Sequence, residues 1–76
     1  MNARIEVNPQ IHHGRPVIRG TRVPVVRILG CLAEGMTQAD TAAEYGVSVD
    51  DIVAVLDYAA ELVEQAQEKA VATQHA

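Results

Sequence analysis

Four arginines are the side chains of this sequence best suited to binding chemistry. They fall within thirteen residues and are separated by three to five positions. Most of them lie in a segment, 14–24, whose glycines and prolines exclude a helix. Guanidinium groups presented from such a segment could bind phosphates or enter a minor groove, or they could pair with the chain's many carboxylates within or between subunits. Both interpretations stay open for the four residues, which are Arg15, Arg19, Arg22 and Arg27.

Acidic side chains dominate the other end of the chain. Residues 1–30 carry five arginines and one glutamate, whereas residues 31–76 carry one lysine and nine carboxylates, and the net charge is -4. Four carboxylates within twelve residues mimic the charge of an RNA backbone and speed association with a basic surface. We therefore predict that they bind a protein partner; they are Asp57, Glu61, Glu64 and Glu68.

The other reactive residue types do not form a catalytic or metal-binding motif. His12 and His13 are adjacent in a predicted loop, where two ligands on one metal are unfavourable, and we expect both to be solvated. Cys31 lies beside Leu29 and Leu32 on an apolar stripe and is expected to be a buried, inert thiol. No nucleophile triad, paired-carboxylate cleft or phosphate loop can be assembled. The sequence thus predicts a protein that is not an enzyme and has no metal or cofactor.

The length of 76 residues fits one domain with a small core. Such a core rarely supplies more than about 3 to 5 kcal/mol, and a single cysteine excludes an intramolecular disulfide. We therefore expect a homodimer, formed by exchange or pairing of residues 4–23 with a contribution from the last helix. No apolar run approaches a membrane span and no secretion signal is present, so we expect a cytoplasmic protein without membrane contact.

The elements that position these residues follow from local patterns. Residues 4–7 alternate polar and apolar before a turn at Asn8, and residues 17–18 are β-branched between chain breakers, which predicts two short strands. Apolar residues at spacings of three and four predict a first helix from Pro24 to Gly35. Thr37 caps a short second helix that stops at Gly46.

A long third helix is predicted to follow. Ser48 and Asp51 form a capping arrangement at its start. One apolar stripe runs along it, and residues 67–76 are expected to fray. Residues 1–66 are therefore assigned to a single domain, with 67–76 as its tail. The members of the stripe are Ile52, Val55, Leu56, Ala59, Val63 and Ala66.

Residues 37–55 have the layout of a helix-turn-helix. Ala42 is small enough for two helices to cross closely, and Gly46 suits a tight turn. The positions that would enter a major groove, however, supply Asp50, Asp51 and Asp57 and no base-reading side chain. The unit is therefore expected to be structural, and any DNA contact should come from the arginines.

The segment from Gly14 to Val25 contains the motif G-x-P-x-I-x-G-T-R. It resembles the hallmark of the domain-of-unknown-function family 433. The likeness covers about residues 4–63. It implies a mainly α fold, a three-helix homeodomain-like or winged helix-turn-helix with a short N-terminal β element. It also implies membership among VapB-type antitoxins, whose genes often lie beside one for a PIN-like ribonuclease toxin.

Three functions are compatible with the sequence. The first is an antitoxin-like protein that neutralises a PIN-like ribonuclease, with repression of its own operon by binding operator DNA as an additional role. In one mode of binding, an arginine of this chain enters the carboxylate-rich active site of the toxin. In the other, the acidic third helix of this chain covers a basic RNA-binding face of the toxin. Charge complementarity favours the second mode. The alternatives are a stand-alone helix-turn-helix DNA-binding regulator and a homo-oligomeric structural module.

Overall fold

The computed structural model describes the backbone of residues 2–75 and the side chains of residues 2–70. Two strands, β1 (Ile5–Glu6) and β2 (Val17–Ile18), precede three helices: α1 (Val25–Ala33), α2 (Gln38–Tyr45) and α3 (Val49–His75). A short 3-10 turn at His12–Gly14 lies between the strands. The predicted mainly α fold, with three helices and a short N-terminal β element, is confirmed.

The strands form an antiparallel pair in which Ile5 faces Ile18 and Glu6 faces Val17. Only two residues of each strand pair, so the first strand is shorter than the predicted 4–7. The sheet is joined to α1 because the Val25 amide donates to the Pro16 carbonyl at 3.0 Å. The N-terminal segment is joined to α3 by Asn2, whose side-chain amide donates to the Ala54 carbonyl at 2.9 Å.

The predicted helix caps are present at the start of α2, at its end and at the start of α3. The Thr37 hydroxyl accepts from the Asp40 amide at 3.0 Å, and Gly46 ends α2 in the left-handed region at φ 66°. At the start of α3, the Ser48 hydroxyl accepts from the Asp51 amide, while the Asp51 carboxylate accepts from the Ser48 amide, both at 3.1 Å. This reciprocal pair satisfies two amides that a helix start otherwise leaves without partners.

The core lies where the sheet and the three helices meet. It contains only aliphatic side chains, and α3 contributes to it through its first turns. The core residues are Ile5, Ile18, Val25, Ile28, Ala42, Ile52 and Val55. Not all of the predicted α3 stripe is buried, because Leu56, Val63 and Ala66 are exposed. The backbone of α3 remains helical through His75, and the expected fraying of residues 67–76 stays a prediction.

Candidate functional site

The four predicted partner-binding acids lie on one face of α3. An α-helix turns by about 100° per residue, so positions 57, 61, 64 and 68 fall within an arc of about 60°. Glu64 and Glu68 are exposed, and Glu61 is half-buried. Asp57 is partly engaged, since it accepts a hydrogen bond of 3.3 Å from the Asn2 side-chain amide. The structure therefore brings the predicted set together as an acidic face, with its freest carboxylates toward the C-terminal end.

An apolar ridge occupies a different side of the same helix. Tyr58 and Leu62 form this ridge, and each lines two open clefts. The first cleft, of about 500 Å³, lies between the ridge and the N-terminal segment that includes Val7. The second, of about 330 Å³, lies between the ridge and α1 and includes Val26. This face was not predicted, although exposed Val7 and Val26 outside the assigned core stripes could have indicated it.

The predicted arginine surface is divided among separate places. Arg19 lines the first cleft, Arg15 the second, and Arg22 a third of about 410 Å³ beside His12 and His13. No two of the four arginines share one of these three clefts. Arg27 lies on α1 near Tyr45, where its charge acts to lower the pKa of that phenol. The four arginines therefore do not line one common cleft, although the clefts of Arg19 and Arg22 share Pro9 as a wall.

Arg19 is committed to contacts inside its own chain. Its Nε donates to the Ala3 carbonyl at 2.7 Å, and its guanidinium lies 3.8 Å from the Glu6 carboxylate. Within residues 2–70, no ion pair is made by Arg15 or Arg22, and both are exposed. The ion-pair interpretation therefore holds for Arg19, but its partner comes from the first half of the chain rather than from the acidic second half.

The surface of the helix-turn-helix is acidic, as predicted. The Asp50 side chain is 81% exposed at the start of α3. Asp51 is turned inward to the cap and to Arg4, whose Nη1 lies 3.0 Å from its carboxylate. The backbone hydrogen bond from Ser48, followed by the contacts with Arg4, lowers the pKa of Asp51 against the opposing effect of desolvation. A negative, exposed first turn repels phosphates, so this surface is poorly suited to contact with a DNA backbone.

Cys31 differs from its prediction as a buried thiol. It is half-buried, and its Sγ lies 3.4 Å from the Tyr45 hydroxyl. This hydrogen bond is the main cause of the raised pKa of Tyr45. The thiol has a polar partner because Tyr45, on α2, packs against the core with its hydroxyl beside Cys31 of α1.

His12 and His13 are exposed, as predicted, but their backbone was not anticipated. Both adopt positive φ angles, 53° and 58°, immediately before Gly14 at 81°. Such angles are unfavourable for residues with a Cβ, so this turn is held by its surroundings. Among the residues whose side chains the structure describes, no three His, Cys, Asp or Glu side chains are grouped closely enough to hold a metal ion.

A comparison with protein families decides the relationship suggested by the Gly14–Val25 segment. A family model described as "Protein of unknown function (DUF433)" matches residues 5–59. The chain belongs to the DUF433 family. The resemblance to this family is thereby confirmed, whereas the antitoxin likeness stays a prediction. No curated protein matches the chain.

Two solved structures are similar to this DUF433 chain. The crystal structure of RV2018 from Mycobacterium tuberculosis shares 35% identity over 68% of this chain, with a TM-score of 0.63. The crystal structure of a DUF433 member protein from Anabaena variabilis ATCC 29413 shares 27% identity over 87% of this chain and 66% of its own, with a TM-score of 0.73. This chain spans about a quarter (24%) of the length of RV2018.

The membrane prediction can be examined on the helices themselves. None of the helices within residues 2–75 contains a stretch long and apolar enough to cross a bilayer.

Proposed function

We propose that this DUF433 protein is an antitoxin-like interaction protein that binds and neutralises a PIN-like ribonuclease without catalysing a reaction itself. The acidic face of α3 is the surface that meets the toxin. The single observation that supports this most is the alignment of Asp57, Glu61, Glu64 and Glu68 along one side of a helix that continues beyond the core.

The charge pattern favours a basic partner surface. A ribonuclease must present basic groups to its RNA, and a row of carboxylates on a preformed helix matches such a surface. The helix is already formed, so binding has less ordering entropy to overcome than a disordered acidic tail has. The arginine-based alternative is less favoured, because the four arginines are dispersed and Arg19 already has partners.

A stand-alone DNA-binding role finds less support. The exposed positions at the start of α3 carry Asp50 and aliphatic side chains, and neither reads bases in a major groove. Repression of an operon by this protein therefore depends on Arg15, Arg22 and Arg27 or on DNA contacts supplied by the toxin.

The experiment is a neutralisation assay with a PIN-like ribonuclease encoded beside this gene. Glu64→Gln combined with Glu68→Gln removes two exposed charges from the acidic face. We expect the association rate with the toxin to fall about tenfold at low salt and the inhibition of RNA cleavage to weaken in parallel. A matched control, Glu34→Gln with Glu44→Gln, makes the same change of charge at two exposed positions, one directly after α1 and one within α2, and should stay within twofold of the unmodified protein.

Truncation tests the same surface by another route. Removal of residues 64–76 leaves every core residue in place, so the shortened chain should fold and yet neutralise poorly. Circular dichroism of the shortened chain separates loss of folding from loss of binding. A truncated protein that neutralises as well as the full chain would exclude Glu64 and Glu68 as contacts of the toxin, and an adjacent gene that encodes no ribonuclease would argue against the toxin as partner.

A further inference from the structure

Among the side chains of residues 2–70, those around Tyr58 and Leu62 form a face rich in apolar groups that the chain leaves partly exposed. Leu62 is 45% exposed on the ridge, and the outer walls of the two clefts carry Val7 and Val26, which are 58% and 63% exposed. A ridge therefore stands between two clefts, each with an exposed valine on its far side. Exposed apolar surface of this contiguous kind marks an interaction site.

The helix that carries the ridge continues well past the core. Thirteen residues follow Leu62 to the end of α3 and extend about 20 Å at 1.5 Å per residue. The radius of gyration is 13.9 Å, whereas a compact chain of this length has about 11.4 Å. Most of the stability of helices in proteins comes from the packing of an apolar face, so the projecting part would gain further stability from an apolar neighbour along Leu62 and Ala66.

We infer that this face binds a second copy of the same chain, ridge into cleft. A two-fold contact requires one patch to be complementary to itself. This patch meets the requirement, because it presents a convex ridge and concave clefts side by side, so the ridge of each copy enters a cleft of the other. The inference does not depend on the ribonuclease partner.

The charges of the chain are compatible with this arrangement. Glu64 and Glu68 lie roughly 120° to 160° around the helix from Leu62 and Ala66. When the ridges face each other, these two carboxylates therefore point away from the contact. Each cleft is bordered by one arginine, Arg19 in the first and Arg15 in the second, and the first cleft also carries the carboxylates of Glu6 and Glu61. One surface of α3 is thus left free for a different partner.

A second copy also supplies what the small core lacks. The buried core residues of one chain are few and lack large aromatic side chains, and a domain of this size gains stability by mass action when its folded form associates. The strands already pair within one chain, so the dimer needs no exchange of residues 4–23.

The test measures the mass of the purified full chain by sedimentation equilibrium from 1 to 200 µM. We expect twice the mass of the chain at the upper concentrations. Leu62→Lys should shift the dimer dissociation constant upward by at least tenfold, because a charged ammonium group replaces the apolar side chain of the ridge and must lose its hydration in the contact. Val53→Lys is the matched control, since Val53 is 50% exposed on the same helix and nine residues, or half a turn in angle, from Leu62.

Val26→Lys, on α1, keeps the test valid if Leu62→Lys fails to fold as judged by circular dichroism. Val26 lines the second cleft together with the ridge, so its substitution by lysine should weaken the dimer in the same way as Leu62→Lys. Three outcomes would overturn the inference. They are a monomer at 200 µM for the unmodified chain, an unchanged dissociation constant for both ridge-face variants, or an equal loss in Val53→Lys.

Discussion

The two halves of α3 carry apolar side chains at similar spacings but lie in opposite surroundings. Ile52 and Val55, in the first half, are fully buried against α1, α2 and the sheet. Leu62 and Val63, in the second half, are 45% and 56% exposed. The helical spacing predicts which residues share a side of the helix. It does not tell whether a packing partner comes from the same chain. Among the side chains of residues 2–70, those of Ile52 and Val55 pack into the core, whereas those of Leu62 and Val63 stay about half exposed.

The largest effect on the free energy of unfolding should come from a substitution in the buried half of α3. Ile52→Ala removes a fully buried side chain and should cost about 2 to 5 kcal/mol, comparable to the whole stability expected of so small a core. Ile52→Val should cost about 0.5 to 1.5 kcal/mol and leaves a measurable transition. Urea unfolding followed by circular dichroism measures both.

Leu62→Ala sharpens the contrast between the halves. If the ridge packs on a second copy, the urea midpoint of the unmodified chain rises between 1 and 100 µM protein. Leu62→Ala should flatten this rise, whereas Ile52→Val should lower the midpoint equally at both concentrations. A concentration dependence that persists unchanged in Leu62→Ala would contradict the difference drawn between the two halves.

A moderate effect is expected at the start of the buried half, where Asp51 closes the cap of α3. Asp51→Asn should cost about 1 kcal/mol at pH 7, since the charged acceptor for the Ser48 amide and the partner of Arg4 are both weakened. The measurement is urea unfolding at a series of pH values, with Asp50→Asn as the control on the exposed neighbour.

The pH dependence of this effect has a definite sign. The pKa of Asp51 is lowered in the folded protein from its ordinary value of 3.8. The unfolded chain therefore takes up the proton first as the pH falls, and the stability due to Asp51 is full above that value and is lost as the pH drops through the lower folded pKa. Asp51→Asn should flatten this acid loss. An identical acid limb in Asp51→Asn and the unmodified chain would exclude Asp51 as its source.

Local features of the fold were predictable because each depends on neighbours in the chain. Thr37 with Asp40 and Ser48 with Asp51 satisfy amides three residues away, and Gly46 supplies a backbone angle that few other residues tolerate. The acidic face followed from spacing alone. These signals are contained in a few consecutive residues, so no tertiary information was needed to recognise them.

Features that depend on contacts between distant elements were not predictable. The exposure of Leu56 and Val63 depends on where the other helices end, and the half-buried position of Cys31 depends on Tyr45 arriving from α2. The dispersal of the arginines follows from the paths of two loops. Arg4 received no role from the sequence, although its contact with Asp51 joins residues 47 positions apart. Long-range geometry of this kind leaves no local pattern.

The smallest expected effect concerns the exposed half and separates folding from function. Glu64 has like charges three residues before it, at Glu61, and four residues after it, at Glu68. Like charges at these spacings destabilise a helix by about 0.2 to 0.5 kcal/mol each pair. Glu64→Gln should therefore raise the helicity and stability of α3 slightly, and Glu64→Lys should raise them further by creating opposite-charge pairs.

The affinity for the ribonuclease should change in the opposite direction across the same series of variants. If the acidic face serves a basic partner, affinity falls from Glu to Gln to Lys at position 64 while far-UV circular dichroism and urea midpoints rise in that order. A side chain that weakens its own helix yet strengthens a complex is explained by the partner and not by the fold. Parallel loss of stability and binding across the series would instead assign Glu64 a structural role, and the exposed half of α3 would then differ from the buried half only in degree.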